Sequence, residues 1–156
     1  MSGVKIGTFA VYESDKYEIN QDTINTKLTT VDSGFLLSGN KKYVMFGDVS
    51  DYIAVLAKHE DGFKFVLVST DSEGVTIKET TSLDQTRPMC EVEMSDVGLD
   101  NDAVLIELDS ELSQWNKVKN IALGYLAMEQ VGASQACIDM STQYAKERIQ
   151  FGRPIG

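Results

Sequence analysis

The residues of this chain that could do chemistry are few and scattered. His59 is the single histidine, and residues 59–63 are typical of a hairpin turn, so we interpret it as a solvated turn residue. The signatures of serine hydrolases, zinc peptidases, phosphate-binding loops and dinucleotide-binding loops are all missing. Glu13 and Asp15 are spaced for an acid–base pair, but acidic turn residues are common in so acidic a chain. The sequence predicts no catalytic residue and no metal ligand.

The end of the chain has a different chemistry. Residues 144–156 read YAKERIQFGRPIG, in which Lys146 and Arg148 precede Gly152 and Pro154. Glycine and proline stop a helix, and basic residues in its last turn complement the helix dipole. Arg148 could also bind an anion or a phosphate group.

Composition excludes several classes of protein. The 156 residues carry 14 basic and 24 acidic side chains, a net charge of −10, which argues against nucleic-acid binding. Cys90 and Cys137 lie too far apart in sequence for a disulfide framework or a cysteine-rich zinc site. We predict a cytoplasmic protein, because the first residues lack the apolar run of a signal peptide and free cysteines suit a reducing compartment. The most apolar stretch, residues 121–138, includes Glu129 and other polar residues and predicts no membrane span.

The elements that must position these residues fall into two regions. The first consists of short segments rich in Thr, Val, Ile and aromatic residues, separated by turn signals such as Ser38-Gly39-Asn40. The predicted strands are residues 6–13, 23–31, 34–38, 43–46, 52–57, 63–69, 75–80, 90–94 and 103–105. The second region, residues 109–151, predicts one long helix, or two joined near Gly132, that starts at Asp109 or Ser110. The predicted class is mainly β with α: an antiparallel barrel or sandwich followed by one long C-terminal helix.

The helix has an unusual surface. Glu129 is the only charged residue between Ile121 and Ile138, so the helix is apolar on nearly all sides there. Such a helix must be buried on nearly all sides, and one small sheet covers only one. We therefore expect the cover to come from another chain or from sequence outside this one.

Four segments resemble acyl-CoA dehydrogenases. The C-terminal residues resemble the signature YAKxRxQFGxPI, which ends the first helix of the C-terminal domain in that family. Residues 38–47, SGNKKYVMFG, are similar to the family segment NGxKxWITNG, and residues 9–14, FAVYES, resemble its strand FALTEP. Residues 126–132, LAMEQVG, are similar to the same helix in actinobacterial-type members.

The resemblance covers essentially the whole chain and implies a domain organisation. Residues 1–108 would be the middle β-barrel domain, and residues 109–156 the first helix of the C-terminal bundle, so the chain would be a fragment of a longer protein. The parent would be an FAD-dependent oxidoreductase of lipid metabolism and fatty acid oxidation. It would oxidise an acyl-CoA thioester to the 2,3-enoyl-CoA, with the α-proton passing to a glutamate and the β-hydride to flavin N5.

The resemblance also implies which residues contact FAD. In the barrel, Tyr43 stands where a tryptophan usually packs on the flavin ring, and Met45 where a threonine hydroxyl usually bonds near N5. At the helix end, Arg148 and Gln150 would meet the pyrophosphate of FAD held by a neighbouring subunit, and Phe151 would pack on that cofactor. The complete set is Phe9, Val11, Tyr12, Tyr43, Val44, Met45, Arg148, Gln150 and Phe151.

Several positions depart from the family pattern. Tyr12 replaces a threonine, Ser14 replaces a proline, residues 15–22 replace a shorter loop, and Met45 cannot donate a hydrogen bond. Most members carry the catalytic base late in the bundle, and the early alternative position is Ala122 here. The chain as written therefore lacks the base and is expected to be inactive alone.

Two alternatives stay open beside a catalytic parent. The parent could be a non-catalytic subunit that assembles with a related active partner, as the departures at Tyr12 and Met45 suggest. The chain could also be an acidic β-barrel module whose helix mediates oligomerisation. In every case we expect a homo-oligomer or a helix-swapped dimer, because an unpartnered apolar helix favours exchange between chains.

Overall fold

A computed structural model describes residues 3–16, 18–109 and 112–156. The chain forms two compact units, which divide after Ser113. The first unit contains eight strands and one short 3-10 turn, Asn101–Ala103. The strands are β1 (Gly7–Ala10), β2 (Lys27–Val31), β3 (Gly34–Met45), β4 (Tyr52–His59), β5 (Gly62–Ser69), β6 (Val75–Thr80), β7 (Met89–Leu99) and β8 (Val104–Leu108). The division predicted at residue 108 stays a prediction.

The eight strands form one mainly antiparallel sheet. Hydrogen-bonded neighbours follow the order β6-β7-β3-β2-β4-β5-β8, and β1 pairs with β4 beside this path. The β1–β4 pair is parallel, and β2 also meets β4 in parallel at Lys27 and Lys58. The predicted class, short strands followed by one long helix, is confirmed. The parallel pairings join strands far apart in sequence, which local periodicity cannot reveal.

Strand β3 differs from the sequence prediction. The residues Ser38-Gly39-Asn40 do not separate two strands, because β3 runs unbroken from Gly34 to Met45 with register shifts between Leu37 and Gly39 and between Lys41 and Val44. Gly39 permits a close backbone approach rather than a turn: a Cβ there would lie 2.6 Å from the Cα of Thr26. The first shift has its extra residue in β7, between Met94 and Val97, and the second has it in β3, between Lys41 and Val44.

The core of the first unit lies on one face of this sheet. Val55 and Val66 face each other across β4 and β5 and are fully buried. The cluster consists of Ala10, Leu28, Leu37, Val44, Ile53, Val55, Ala57, Val66, Val68, Val92, Met94 and Val97. On β4 the five consecutive residues 53–57 are all buried, so apolar side chains are covered on the opposite face of that strand as well.

His59 is not the solvated turn residue that the sequence predicted. It is buried at the end of β4, where its Nε2 lies 3.0 Å from Oγ1 of Thr30 and its ring meets Phe35 edge to face. The backbone N–H of Asp61 points to its Nδ1 at 3.4 Å. Both ring nitrogens are thus used in packing the β4–β5 hairpin, because β2 and β3 cover the turn from the side.

The second unit is built on one continuous helix, α1 (Ser113–Glu147). There is no break at Gly132, so the single-helix alternative is correct. Asp109 accepts a 2.8 Å hydrogen bond from the backbone N–H of Ser113, as a residue near a helix start does. Ser110, the other residue predicted to cap the start, lies outside the described residues. No residue of α1 is buried within the chain.

A small hairpin follows the helix. Strands β9 (Ile149–Gln150) and β10 (Arg153–Pro154) pair through a turn in which Phe151 and Gly152 both have positive φ. The helix thus ends at Glu147, before the glycine and proline that predicted its stop. Across the described ranges, no helix is both long and apolar enough to cross a membrane.

Candidate functional site

The structure brings together the two barrel segments that the sequence singled out. The hydroxyl of Thr8 donates to the carbonyl of Met45 at 2.7 Å, and the backbone N–H of Lys42 donates to the carbonyl of Tyr12 at 2.8 Å. The end of β1 and the residues after it therefore run along the end of β3. Both hydrogen bonds form because β1, which pairs with β4 outside the main strand order, also contacts β3.

The predicted site residues in these segments differ in exposure. Phe9, Tyr43 and Met45 are 63%, 44% and 46% exposed, so their side chains are open to a ligand. Val11 and Val44 are buried and can offer a ligand only backbone atoms. Large apolar side chains exposed together are unusual for a surface that meets only water.

An open cleft of about 420 Å³ lies between the segments. It is lined by Tyr12, Ser14, Asp15, Lys16 and Tyr43. The hydroxyl of Tyr43 donates a short hydrogen bond to the Asp15 carboxylate. Tyr43 itself has φ +57°, a left-handed conformation that costs a bulky residue energy and is typical of functional positions. The cleft therefore has one aromatic ring in a fixed and strained position.

A buried ion pair joins Glu13 and Lys41, which lie next to cleft-lining residues in the chain. The side chain of Lys41 is 0% exposed, and its Nζ lies 2.7 Å from Oε1 of Glu13 and 3.2 Å from the carbonyl oxygen of Val11. The Glu13 carboxylate also accepts hydrogen bonds from the backbone N–H groups of Asn25 (2.6 Å) and Thr26 (3.0 Å). Charged groups this deep need such partners, because neither can be hydrated.

Burial and pairing shift both pKa values. Burial lowers the pKa of Lys41 to about 8, although the Glu13 charge and hydrogen bond oppose the shift. Burial alone would raise the pKa of Glu13, but the Lys41 charge and the hydrogen bonds from Lys41 and Thr26 outweigh it and hold that pKa below its usual range. Both groups are therefore charged at neutral pH.

Glu13 and Asp15 do not form the acid–base pair that their spacing allowed. Glu13 is held by Lys41, and Asp15 is held by Tyr43. Lys41 was not evident as a site residue from the sequence, because lysines are ordinarily exposed and its partner Glu13 is 28 residues away.

The remaining predicted contacts lie in the second unit. Arg148, Gln150 and Phe151 are exposed, and Phe151 is at the tip of the hairpin. The guanidinium carbon of Arg148 lies 5.9 Å from the ring centroid of Tyr144, one helical turn earlier. Ala122, at the early base position, provides no proton acceptor.

Comparison with known proteins gives relatives for nearly the whole chain. The chain is 27% identical to a 2-methylacyl-CoA dehydrogenase and 28% identical to an isovaleryl-CoA dehydrogenase, both mitochondrial proteins of Solanum tuberosum, over 165 aligned residues. It is 28% identical over 169 residues to the CarC subunit of the caffeyl-CoA reductase–Etf complex of Acetobacterium woodii, covering 42% of it. All of this chain is aligned with the two potato proteins, but it spans only 39% of their length.

Solved structures share the fold. A glutaryl-CoA dehydrogenase from Mycobacterium smegmatis superposes with a TM-score of 0.85 at 28% identity, covering 97% of this chain and 39% of that one. A structure of a glutaryl-CoA dehydrogenase from the same organism in complex with FADH2 gives 0.84 at 24% identity, with the same coverage.

A family model described as the acyl-CoA dehydrogenase middle domain matches residues 8–97. The matched residues include β1 to β6 and most of β7, and they contain the two segments that form the cleft. Because they make up more than half of the sequence, the chain belongs to the acyl-CoA dehydrogenase family.

Proposed function

We propose that this chain supplies the flavin-facing part of an FAD-dependent acyl-CoA dehydrogenase. The intact protein would oxidise an acyl-CoA thioester to the 2,3-enoyl-CoA. The observation that carries the proposal is the cleft lined by Tyr12, Ser14, Asp15, Lys16 and Tyr43, in the same two segments as the exposed side chains of Phe9 and Met45. A flat, largely apolar ring system needs such aromatic and apolar walls, and the cleft volume is within the usual range for small-molecule sites.

The residues present fit a flavin in two respects. Tyr43 offers a ring whose orientation is fixed by its hydrogen bond to Asp15, and Arg148, in the second unit, would meet the pyrophosphate of FAD held by a neighbouring subunit. An arginine is suited to a pyrophosphate through paired N–H groups. Met45 offers no hydroxyl, so one hydrogen bond to the ring would be absent. The M. smegmatis structure with FADH2 supports the assignment by its fold.

FAD supplies the hydride acceptor in this chemistry. The residues of this chain would bind and orient it: Tyr12 and Tyr43 pack beside the ring, and the backbone of Val11 and Val44 offers polar contacts although their side chains are buried. No carboxylate stands at Ala122, the early base position, so we expect another part of the intact protein to supply the proton acceptor. The chain alone is expected to be inactive.

The proposal can be tested on the purified chain by titrating it with FAD and following flavin fluorescence. We expect saturable binding, and Tyr43→Ala should weaken it about threefold to tenfold, the value of one aromatic contact, about 0.5–1.5 kcal/mol. Tyr52→Ala, a partly exposed tyrosine of β4 that does not line the cleft, is the matched control and should bind as the unmodified chain does. Equal affinity in all three proteins would contradict the assignment of Tyr43.

A second candidate is a non-catalytic subunit of the same family. Met45 favours it, because a methionine removes a contact that tunes the flavin. The relative from A. woodii is itself named as a subunit of a larger complex. The intact protein would then bind little FAD and gain activity only with a partner, so purification alone and with candidate partner subunits separates the two.

Oligomerisation is part of the proposal in either case. α1 exposes large apolar side chains along its length, among them Tyr125, Met128 and Val131. Leaving such a helix in water is unfavourable, so we infer that a second chain covers it, either as a homo-oligomer or as a helix-swapped dimer. Light scattering showing one chain per particle would contradict this inference. The cytoplasmic location stays a prediction.

A further inference from the structure

The Lys41–Glu13 ion pair is unusual for the place where it lies. The Lys41 side chain is fully buried and that of Glu13 is 7% exposed, in a strand whose neighbours are aliphatic. Burying two charges costs several kcal/mol per ion, and apolar residues of similar volume often give an equally stable protein. The stability of the sheet therefore does not explain the pair, and its contacts suggest another role.

The contacts of the pair converge on one irregular segment. β1 ends at Ala10, and residues 11–15 belong to no strand. Lys41 binds this segment twice, at the Val11 carbonyl and at the Glu13 carboxylate. Glu13 in turn accepts the N–H groups of Asn25 and Thr26, which lead into β2. One carboxylate thus joins the segment to β3 on one side and to the approach of β2 on the other.

The same segment forms one wall of the cleft. Tyr12 lies between Val11 and Glu13, and its carbonyl accepts the N–H of Lys42, the residue after Lys41. Tyr43 follows Lys42 directly and also lines the cleft. Any displacement of Glu13 from Lys41 would therefore change the distance between the two tyrosines.

We propose that Lys41 and Glu13 are positioning residues of the flavin site: their ion pair fixes residues 11–15 against the end of β3 and so sets the spacing of Tyr12 and Tyr43. The functional consequence rests on the proposed flavin site, but the geometric claim does not. Lys41 touches no ligand in this arrangement and acts through Glu13 and the backbone.

The geometric claim is tested in the 156-residue chain without any ligand. The through-hydrogen-bond NMR coupling between the Lys42 nitrogen and the Tyr12 carbonyl carbon reports whether the segment is docked in the folded molecules. We expect Glu13→Gln and Lys41→Met each to abolish it, while Lys78→Met retains it. Lys78 is the matched control, because its pair with Glu93 at 3.7 Å is exposed.

A purely stabilising role would give a different result. It would lower the urea midpoint but leave the coupling intact in the molecules that remain folded, and that outcome overturns the proposal. If Lys41→Met does not fold, the unmodified chain still provides the test by carbon-detected NMR from about pH 6 to about pH 9. Glu13 is the charged group that faces Lys41 among the described residues, and the pKa of Lys41 is about 8. The Tyr12 carbonyl signal should then shift with a midpoint near that value, and an unmoved signal refutes the proposal.

A flavin titration separates this inference from the proposed function. If the unmodified chain binds FAD, Glu13→Gln should weaken binding about tenfold or more, since small displacements of positioning groups have large effects. Unchanged affinity with a lost coupling would refute the functional consequence. If the unmodified chain does not bind FAD, the proposed function of this chain fails, and the NMR coupling still decides the geometric claim.

Discussion

Replacing Lys41 by methionine should remove a pH dependence of stability that the buried ammonium creates. The pKa of Lys41 is about 8 in the folded chain, against 10.5 for an unburied lysine. Between these two values the unfolded chain holds a proton that the folded chain has released. Stability therefore rises with pH across this window, and below pH 8 the group contributes no slope because both states are protonated.

The size of this effect follows from the two pKa values. Each pKa unit corresponds to about 1.4 kcal/mol of folding stability. Raising the pH from below 8 to above 10.5 should therefore stabilise the folded chain by about 3 kcal/mol, and most of this gain is reached by about pH 10. Other groups titrate in the same range. Cys90 is one, since burial raises the pKa of its thiol, and that contribution is lost as pH rises. These contributions to stability are the same in the unmodified chain and in Lys41→Met. They therefore cancel when the unfolding free energy of the variant is subtracted from that of the unmodified chain.

The assay is urea unfolding of the unmodified chain and Lys41→Met at about pH 7 and about pH 10, with the slope m checked for constancy. The stability of the unmodified chain relative to the variant should increase by about 2–3 kcal/mol between the two pH values. Lys78→Met, which removes an exposed pair, should show no such difference. A difference that is flat, or that falls with pH, would mean that Lys41 keeps its proton and that the reasoning about its burial is wrong.

Three further predictions concern packing. Gly34→Ala should lower the free energy of unfolding in urea by about 2 kcal/mol or more, because the new Cβ would lie 2.2 Å from the Leu99 carbonyl oxygen and φ is +142°. An unchanged urea midpoint would contradict the observed approach of β3 and β7. In thiol titration Cys90 should react only after unfolding, because it is buried; a Cys90 thiol that reacts at once in the absence of urea would contradict this. Thr30→Val should lower the free energy of unfolding by about 1–2 kcal/mol, because it removes the hydrogen bond to the buried ring of His59. Thr29→Val, at the neighbouring exposed position, is the control.

The local elements were predictable because their determinants are local. Strand β6 was predicted with both bounds correct, and α1 was predicted as one of two alternatives from its spacing of apolar residues. The C-terminal motif and the segments around Phe9 and Tyr43 identified the family, which a match over residues 8–97 confirms. The assignment of individual residues to FAD contacts stays a prediction.

Three features could not be read from the sequence, each because a distant segment decides it. His59 looks like a turn residue until β2 and β3 cover it, and its partner Thr30 is 29 residues away. Gly39 is typical of a turn in the sequence, but in the structure it allows the backbone of Thr26 to approach closely. Lys41 looks like a surface lysine, but it is fully buried and paired with Glu13, 28 residues away.

The sequence by itself determined the order of strands and helix, the acidic charge, the apolar surface of α1 and the family. Periodicity, composition and motif spacing depend only on neighbours along the chain. Tertiary structure alone decided that β1 lies against the ends of β3 and β4, that Glu13 meets Lys41, and that Tyr12 and Tyr43 line one cleft. These contacts join residues about 30 positions or more apart, and their free energy depends on burial and charge pairing that exist only once the sheet has formed.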